Sequence, residues 1–358
     1  VDVQWDQIIG LVAVAGTGRD EWLGAQAPRA AGSSITLASL PGSWATGRIG
    51  GTGEFVLDDD TRLTWSAAAR PDGPQRIEID RGRCALRGLS QGTAFLIAGS
   101  GDATLVDVEE PGTLVVLDQT GGKPQLAVLS GGVDVGGNVV RRRQFVALIN
   151  GVWSAPQSLD NPPGFLTGPD TAAQMDSAEQ QALLTSADLL SSLTALEESA
   201  SPPLRQTAVG WRLSLAPQGT ILASLRSSHE STRTAAVAWL MEDRPSDRSQ
   251  LLAWQTFAQE LNDPELARSL RRWMQLASSG GSPARSDLGD LLTGLDHAEL
   301  GVRQFAQTCL ERITGRRAPA YRADGSAAER QAGIRQWRGI IIRNPPARRG
   351  GSRQSTSR

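Results

Sequence analysis

Hydrophobic positions follow two different rhythms along this chain. Up to about Trp153 they come in short runs bounded by Gly, Pro or Asp: IIGLVAVAG, SSITLASL, GEFVLDDDTRLTW, QRIEIDRGRCALRG, TAFLIAG, ATLVDVEE, GTLVVLDQ, PQLAVLSGGVDVGG and QFVALINGVW. Ile77 and Ile79 alternate with Arg76, Glu78 and Asp80, the period of a strand with one buried face. No helix-length amphipathic stretch interrupts these runs, which predicts an all-β unit: an antiparallel sandwich, a barrel or a β-solenoid. After a proline-rich stretch with Pro156, Pro162, Pro163 and Pro169, the period becomes helical, beginning with Leu183, Leu189, Leu190, Leu193 and Leu196. The predicted organisation is an all-β domain over 1–153, a linker over 154–176, a helical repeat domain over 177–343 and a disordered basic tail over 344–358.

Aligning the helical segments on an arginine exposes a repeat. PPLRQTAVGW is anchored at Arg205, HESTRTAAVAW at Arg233, DPELARSLRRWM at Arg268 and HAELGVRQFAQTC at Arg303. The last three anchors are 35 residues apart, and Trp211, Trp239, Met274 and Cys309 each fall six residues after their anchor. A large or apolar residue at constant register is what stacked helical pairs need, since each pair buries its face only against a neighbour. The first interval is 28, and GGSPARSD near Gly280 interrupts the array. These phrases resemble HEAT-type repeats over about 202–343, which implies an α-α superhelix. The arginine-rich stretch YRADGSAAERQAGIRQWR reads as the closing unit of the array. Asp324-Gly325 supplies a turn, Ser326 and Glu329 stand at capping-box spacing, and Ile334, Trp337 and Ile341 follow at helical intervals.

The β half resembles the periplasmic domain of FecR-type proteins. The residues that carry this are GSWATGRIGGTGEFVLDDDTRLTWS, then RIEIDRGRCALRG, then paired strands around SGGVDVGG and a closing strand near QFVALINGVW, about 41–153 in all. Of the family's Gly-Thr-x-Phe phrase, the nearest counterparts are Gly92-Thr93-Ala94-Phe95 and Gly112-Thr113-Leu114. The resemblance implies an envelope location and a link to transmembrane signalling. The family's cytosolic anti-sigma segment has no counterpart in these residues.

Composition narrows the chemistry. The net charge is −2 over 358 residues, so the whole molecule exerts no general pull on polyanions. Two cysteines, Cys84 and Cys309, fall in different predicted domains and supply no disulfide framework. No apolar run reaches the ~20 residues of a membrane helix. The chain begins at Val1, and a tether upstream of it is expected.

Only His229 and His297 are present, both just ahead of repeat helices, so a Ser-His-Asp or Cys-His arrangement is not expected. Asp58-Asp59-Asp60 reads as a solvated turn rather than a calcium site. Gly121-Gly122-Lys123-Pro124 lacks the upstream glycine and the Ser/Thr of a phosphate loop, and Gly16-Thr17-Gly18 lacks a third glycine. Both read as turns. Neither Arg141-Arg142-Arg143 nor the tail 347–358 has the interleaved aromatics of a nucleic-acid surface.

The reading is a non-enzymatic envelope protein, with no catalytic residue, metal or cofactor, that binds a protein partner as a scaffold or as a sensor and relay. Arg233, Arg268, Arg303, Arg330 and Trp337 are the candidate partner-binding residues. No specific nucleic acid is expected, and membrane contact is expected only through the segment upstream of Val1. The alternative is a glycan-binding, cell-wall-associated or enzyme-accessory module that uses Trp44, Trp65 and Trp153 as stacking platforms.

Overall fold

The computed structural model describes residues 1–16, 21–27, 32–49, 53–68, 73–98, 103–120, 123–161, 164–167, 177–242, 248–279, 283–318 and 320–343. Expectations that lie wholly or partly outside these include the two phosphate-loop lookalikes, the linker over 154–176, the Gly280 interruption and the tail from 344. The chain forms two compact units, one built chiefly on Val1–Leu196 and the other on the described residues after it.

In chain order the strands of the first unit are β1 (Val3–Ile9), β2 (Val12–Ala15), β3 (Trp22–Gly24), β4 (Ser34–Ser39), β5 (Trp44–Ile49), β6 (Glu54–Leu57) and β7 (Arg62–Ser66). Next come β8 (Gln75–Arg81), β9 (Arg83–Leu89), β10 (Ala94–Ala98), β11 (Thr104–Val108), β12 (Thr113–Asp118) and β13 (Gln125–Ser130). The last are β14 (Gly132–Val135), β15 (Asn138–Arg141), β16 (Gln144–Ile149), β17 (Val152–Trp153) and β18 (Gln157–Ser158). Two sheets result. The first runs β1-β5-β6-β9-β12-β13-β16-β17 with β18 also on β16; the second runs β15-β14-β11-β10-β8-β7-β4-β2-β3.

The chain changes sheet after every one to three strands. Gly10 (φ 78°) separates β1 from β2, so the IIGLVAVAG run is two strands in two sheets rather than one. Gly82 (φ 81°) does the same between β8 and β9, where an added Cβ would lie 2.5 Å from Thr61 Cα. Because β9 crosses into the first sheet alone, β8 and β10 meet in parallel, unlike the antiparallel pairs around them. Each sheet withdraws one apolar face from solvent: Phe55, Leu57, Cys84, Leu86, Val115 and Leu117 in the first, Leu37, Leu63, Ile77, Ile79, Val106 and Val135 in the second. The opposite face of the first sheet holds a smaller cluster of Trp44, Val56, Ala85, Val116 and Ala127. Part of the stretch read as a linker covers it: β18 pairs with β16, and Phe165 of a short 3-10 helix (Gly164–Thr167) is buried there.

Helices α1 (Ser177–Leu184) and α2 (Leu189–Glu197) interrupt the leucine pattern at residues 185–188. The amides of Gly24 and Gln26 donate to the carbonyls of Ser186 and Leu184, both at 2.8 Å, so an edge strand is covered by a helix end.

The second unit contains α3 (Pro202–Leu215), α4 (Pro217–Leu225), α5 (Glu230–Leu240), α6 (Arg248–Leu261), α7 (Pro264–Ser279), α8 (Arg285–Gly294), α9 (Leu300–Thr314) and α10 (Ala327–Arg343). Its core includes Trp239, Phe257, Trp273, Phe305, Cys309, Ile334 and Trp337. The register six residues past each anchor is apolar interior: Trp211, Trp239 and Cys309 are buried and Met274 packs on the core. Neighbour order differs from chain order, because α9 lies against both α5 and α7 as well as α4 and α8. Small residues permit this approach. A Cβ on Gly294 would sit 2.7 Å from the Trp273 ring, and one on Gly301 3.1 Å from Leu225.

Candidate functional site

Two constructions of polar side chains stand out, one in each unit. In the helical unit three of the anchor arginines, Arg205, Arg233 and Arg303, close the turns that precede them, and Arg330 of the closing stretch does the same. A helix end leaves carbonyls without intrahelical partners, and a planar guanidinium can serve two at once. Arg233 Nη1 donates to the carbonyls of Ser227 (2.7 Å) and Ser228 (3.0 Å), and Arg303 Nη1 to those of His297 and Ala298, both at 2.6 Å. Arg205 and Arg330 bond Ser199 and Gly325 in the same manner. Each then reaches further along the unit. Arg205 Nε bonds Ser231 Oγ (3.0 Å), Arg233 Nε bonds Gln304 Oε1 (3.3 Å), Arg303 Nε bonds the Ala323 carbonyl (2.6 Å) and Arg330 Nε bonds Asp296 (3.1 Å).

Arg233 is 1% exposed and also pairs with Asp324 at 3.3 Å. Burial alone would raise the Asp324 carboxyl, but Arg233 and Arg322 outweigh it and hold it below the usual carboxylate range. Burial, with Arg330 and Arg233 close by, pulls the Arg303 guanidinium below its ordinary value. Among the candidate partner residues, Arg233 and Trp337 are enclosed, at 1% and 0% exposure, and offer a partner no surface. Arg303 and Arg330 are partly covered with donors committed to turns, and Arg268 is exposed, paired only with Glu265 one turn away. The Ser326 and Glu329 capping box forms as its spacing indicates: the Ser326 amide donates to Glu329 (2.7 Å) and the Glu329 amide to Ser326 Oγ (3.4 Å).

The β unit carries the more accessible construction. Strand register sets Gln4 beside Arg48, Arg48 beside Glu54 and Glu54 beside Arg87, a polar row across β1, β5, β6 and β9. These residues, with Asp2, Gly53 and Gly88, line an open trough of ≈ 730 Å³. It lies on the face that also holds Trp44, Val56 and Ala85, so it begins where the cover by the 3-10 helix ends. Arg87 marks the boundary, donating to the Leu166 carbonyl at 2.7 Å. Arg48 stands between Asp6 (3.6 Å) and Glu54 (4.0 Å), all well exposed. Gly53 keeps the floor bare, since a Cβ there would lie 2.6 Å from the Arg87 carbonyl. Guanidiniums and carboxylates alternate at the 4.8 Å strand spacing typical of sheets. Such a row can align an extended polar ligand by charge.

The site residues missed by the sequence reading are therefore Asp2, Gln4, Arg48, Glu54 and Arg87. Their sole sequence signal is a polar position within an apolar run, and it takes the strand register to bring them into one line.

Other candidates resolve into structural roles. Asp58 pairs with Arg83 at 2.5 Å, Asp60 pairs with Arg81 at 3.1 Å, and Asp59 accepts from the Gly42 amide at 2.5 Å. Among the described residues no group of three or more His, Cys, Asp or Glu is placed to hold a metal ion. His297 Nδ1 accepts from the Glu299 amide (3.0 Å), and His229 occupies the N-cap of α5. The expectation of tryptophan stacking platforms is corrected for Trp44 (5% exposed) and Trp65 (4%), which belong to the interior: their indole N–H groups donate to the Phe165 carbonyl and to Gln75 Oε1. Trp153 is half-buried and donates to Thr104 Oγ1 at 2.9 Å.

No family model matches the chain, and no curated protein matches it. Among solved structures, a chain from Parabacteroides distasonis provisionally described as an anti-sigma factor aligns at 14% identity and a TM-score of 0.28. The alignment covers 36% of this chain and 61% of that one, so this chain spans under two thirds of that structure's length.

Proposed function

We propose that this protein is a non-enzymatic binding protein of the bacterial envelope whose trough on the first sheet holds an extended segment of a protein partner. In this reading the two sheets form a FecR-like sandwich and the helical unit is a HEAT-like scaffold. Binding at the sheet is then relayed or simply held in place. The observation that carries the proposal is the row Gln4, Arg48, Glu54 and Arg87. Its charges are set by strand register, it stays open to solvent, and it lies beside β1, an edge strand of its sheet. A row of alternating charge selects a polar segment of complementary charge, and edge strands accept partner strands.

The test is a photo-crosslinking residue at Gln4 in the full-length protein expressed in its native cells. A discrete crosslinked protein is expected, with yield falling about tenfold or more in an Arg48→Glu/Arg87→Glu double variant of unchanged thermal stability. Equal crosslinking in both, or none in either, would remove the trough as the binding site. Fractionation of the same cells tests the envelope location independently.

A further inference from the structure

Charge is distributed unevenly along the chain. The first 299 residues hold 35 acidic and 23 basic side chains, whereas Leu300 to Arg343 carries nine arginines against three carboxylates. Within that segment the structure sorts the arginines into two sets. Arg303 and Arg330 close turns, as described above. Arg335, Arg338 and Arg343 project from α10 and are exposed, with no carboxylate partner among the described residues.

The exposed face of α10 has a definite composition. Gly333, Ile334 and Trp337 face the core, and Ile340 and Ile341 pack partly against it. At 3.6 residues per turn, Arg335, Arg338 and Ile342 then share the opposite stripe. Ile342 is 79% exposed, the most exposed of the large apolar side chains among the described residues. The Ala320 amide donates to Gln336 Oε1 at 3.2 Å, which holds the preceding loop beside α10. That loop begins with exposed Arg316 and Arg317, and the nearest carboxylate to Arg317, Glu311, is 3.8 Å away with the guanidinium side chain 87% exposed. The charge bias continues in the sequence with Arg348, Arg349, Arg353 and Arg358, which lie outside the described residues and form no part of the surface considered.

We propose that the outer face of α10, with Arg335, Arg338 and Ile342 at its centre and Arg316 and Arg317 beside it, docks on an anionic lipid surface. Complementary charge selects an anionic partner: among the described residues Arg316, Arg335 and Arg338 have no carboxylate partner, Arg317 meets Glu311 at 3.8 Å while staying exposed, and all four are concentrated on one helix and its flanking loop. The exposed isoleucine among them selects lipid over other polyanions, because an apolar side chain gains free energy at the headgroup and acyl boundary and gains nothing against a phosphodiester backbone. Arginine suits this role, since its apolar stem can lie along the boundary while the guanidinium holds phosphate oxygens. The contact is peripheral and salt-sensitive, and it is separate from the trough on the β unit.

Vesicle flotation of the full chain tests it, using phosphatidylcholine vesicles with and without about 30% phosphatidylglycerol at low and at raised salt. Binding is expected to the anionic vesicles and to weaken as salt rises. An Arg335→Glu/Arg338→Glu variant with an unchanged thermal midpoint should lose about 25-fold or more in partitioning, roughly fivefold for each arginine removed. Ile342→Ser should lose several-fold on vesicles and nothing on duplex DNA of similar charge. Failure to float with anionic vesicles would overturn the proposal, as would full binding by the double variant. Equal binding to DNA with no effect of Ile342→Ser would also overturn it and assign the face to polyanions in general.

Discussion

The anchor arginines show how one residue type at one register can be spent on the fold. Arg233 serves two turn carbonyls, Gln304 and Asp324 while 1% exposed, so its removal takes a donor from the two carbonyls and Gln304, while Asp324 keeps Arg322. Arg233→Met is expected to cost the helical unit roughly 2–4 kcal/mol, from buried acceptors left without their donor. Arg268→Ala is expected to stay within about 0.5 kcal/mol, as for exposed positions generally. Urea titration followed by helical circular dichroism checks both, and equal effects would refute the division of roles. The periodicity of these arginines is readable from their spacing. That Arg268 differs is not, because the difference lies in the preceding turn. There Asn262 ends α6 with a left-handed φ of 49°, a conformation that lets the backbone satisfy helix-end carbonyls itself.

At the level of elements, the strand runs and the helical runs are where the hydrophobic periods place them, and the Ser326 and Glu329 box starts α10 as its spacing indicates. What periodicity leaves open is which elements meet. Gly82 looks like any strand-breaking glycine, yet it carries the chain from one sheet to the other and forces the parallel β8 and β10 pair. Likewise α9 lies against α4, α5, α7 and α8, and it approaches α8 and α4 where Gly294 and Gly301 are small. Gly294→Ala would place a methyl 2.7 Å from the Trp273 ring, and about 1–3 kcal/mol of destabilisation is expected from overpacking. Gly289→Ala, on the same helix with open space at its Cβ, should instead be neutral or gain up to about 1 kcal/mol from helix propensity. Thermal midpoints of the two variants compare them directly. A destabilised Gly289→Ala beside an unaffected Gly294→Ala would contradict the packing described for α8 and α9.

For the whole molecule, the two cysteines provide one reporter in each compact unit. Cys84 and Cys309 are both fully buried, and burial pushes the Cys84 thiol up to about 12 and the Cys309 thiol well above its ordinary value. Neither should react with a thiol reagent in the native protein at neutral pH, and each should become reactive as its own unit unfolds in urea. Arg233→Met should then move the exposure of Cys309 to lower urea and leave that of Cys84 in place; a joint shift of both would show that the units unfold as one. Hydrophobic period, glycine and proline placement, and the spacing of anchors and caps are local properties of the chain. The sequence by itself therefore determined the change from strands to helices near residue 177, the apolar register six residues past each anchor, and the cap of α10. Register between strands, the enclosure of Arg233 and Trp337, the burial of Trp44 and Trp65, and the charged row along the trough were decided only by the tertiary structure. Each of these depends on residues distant in sequence, and a polar or aromatic side chain shows in one dimension neither which face it will occupy nor what will cover it.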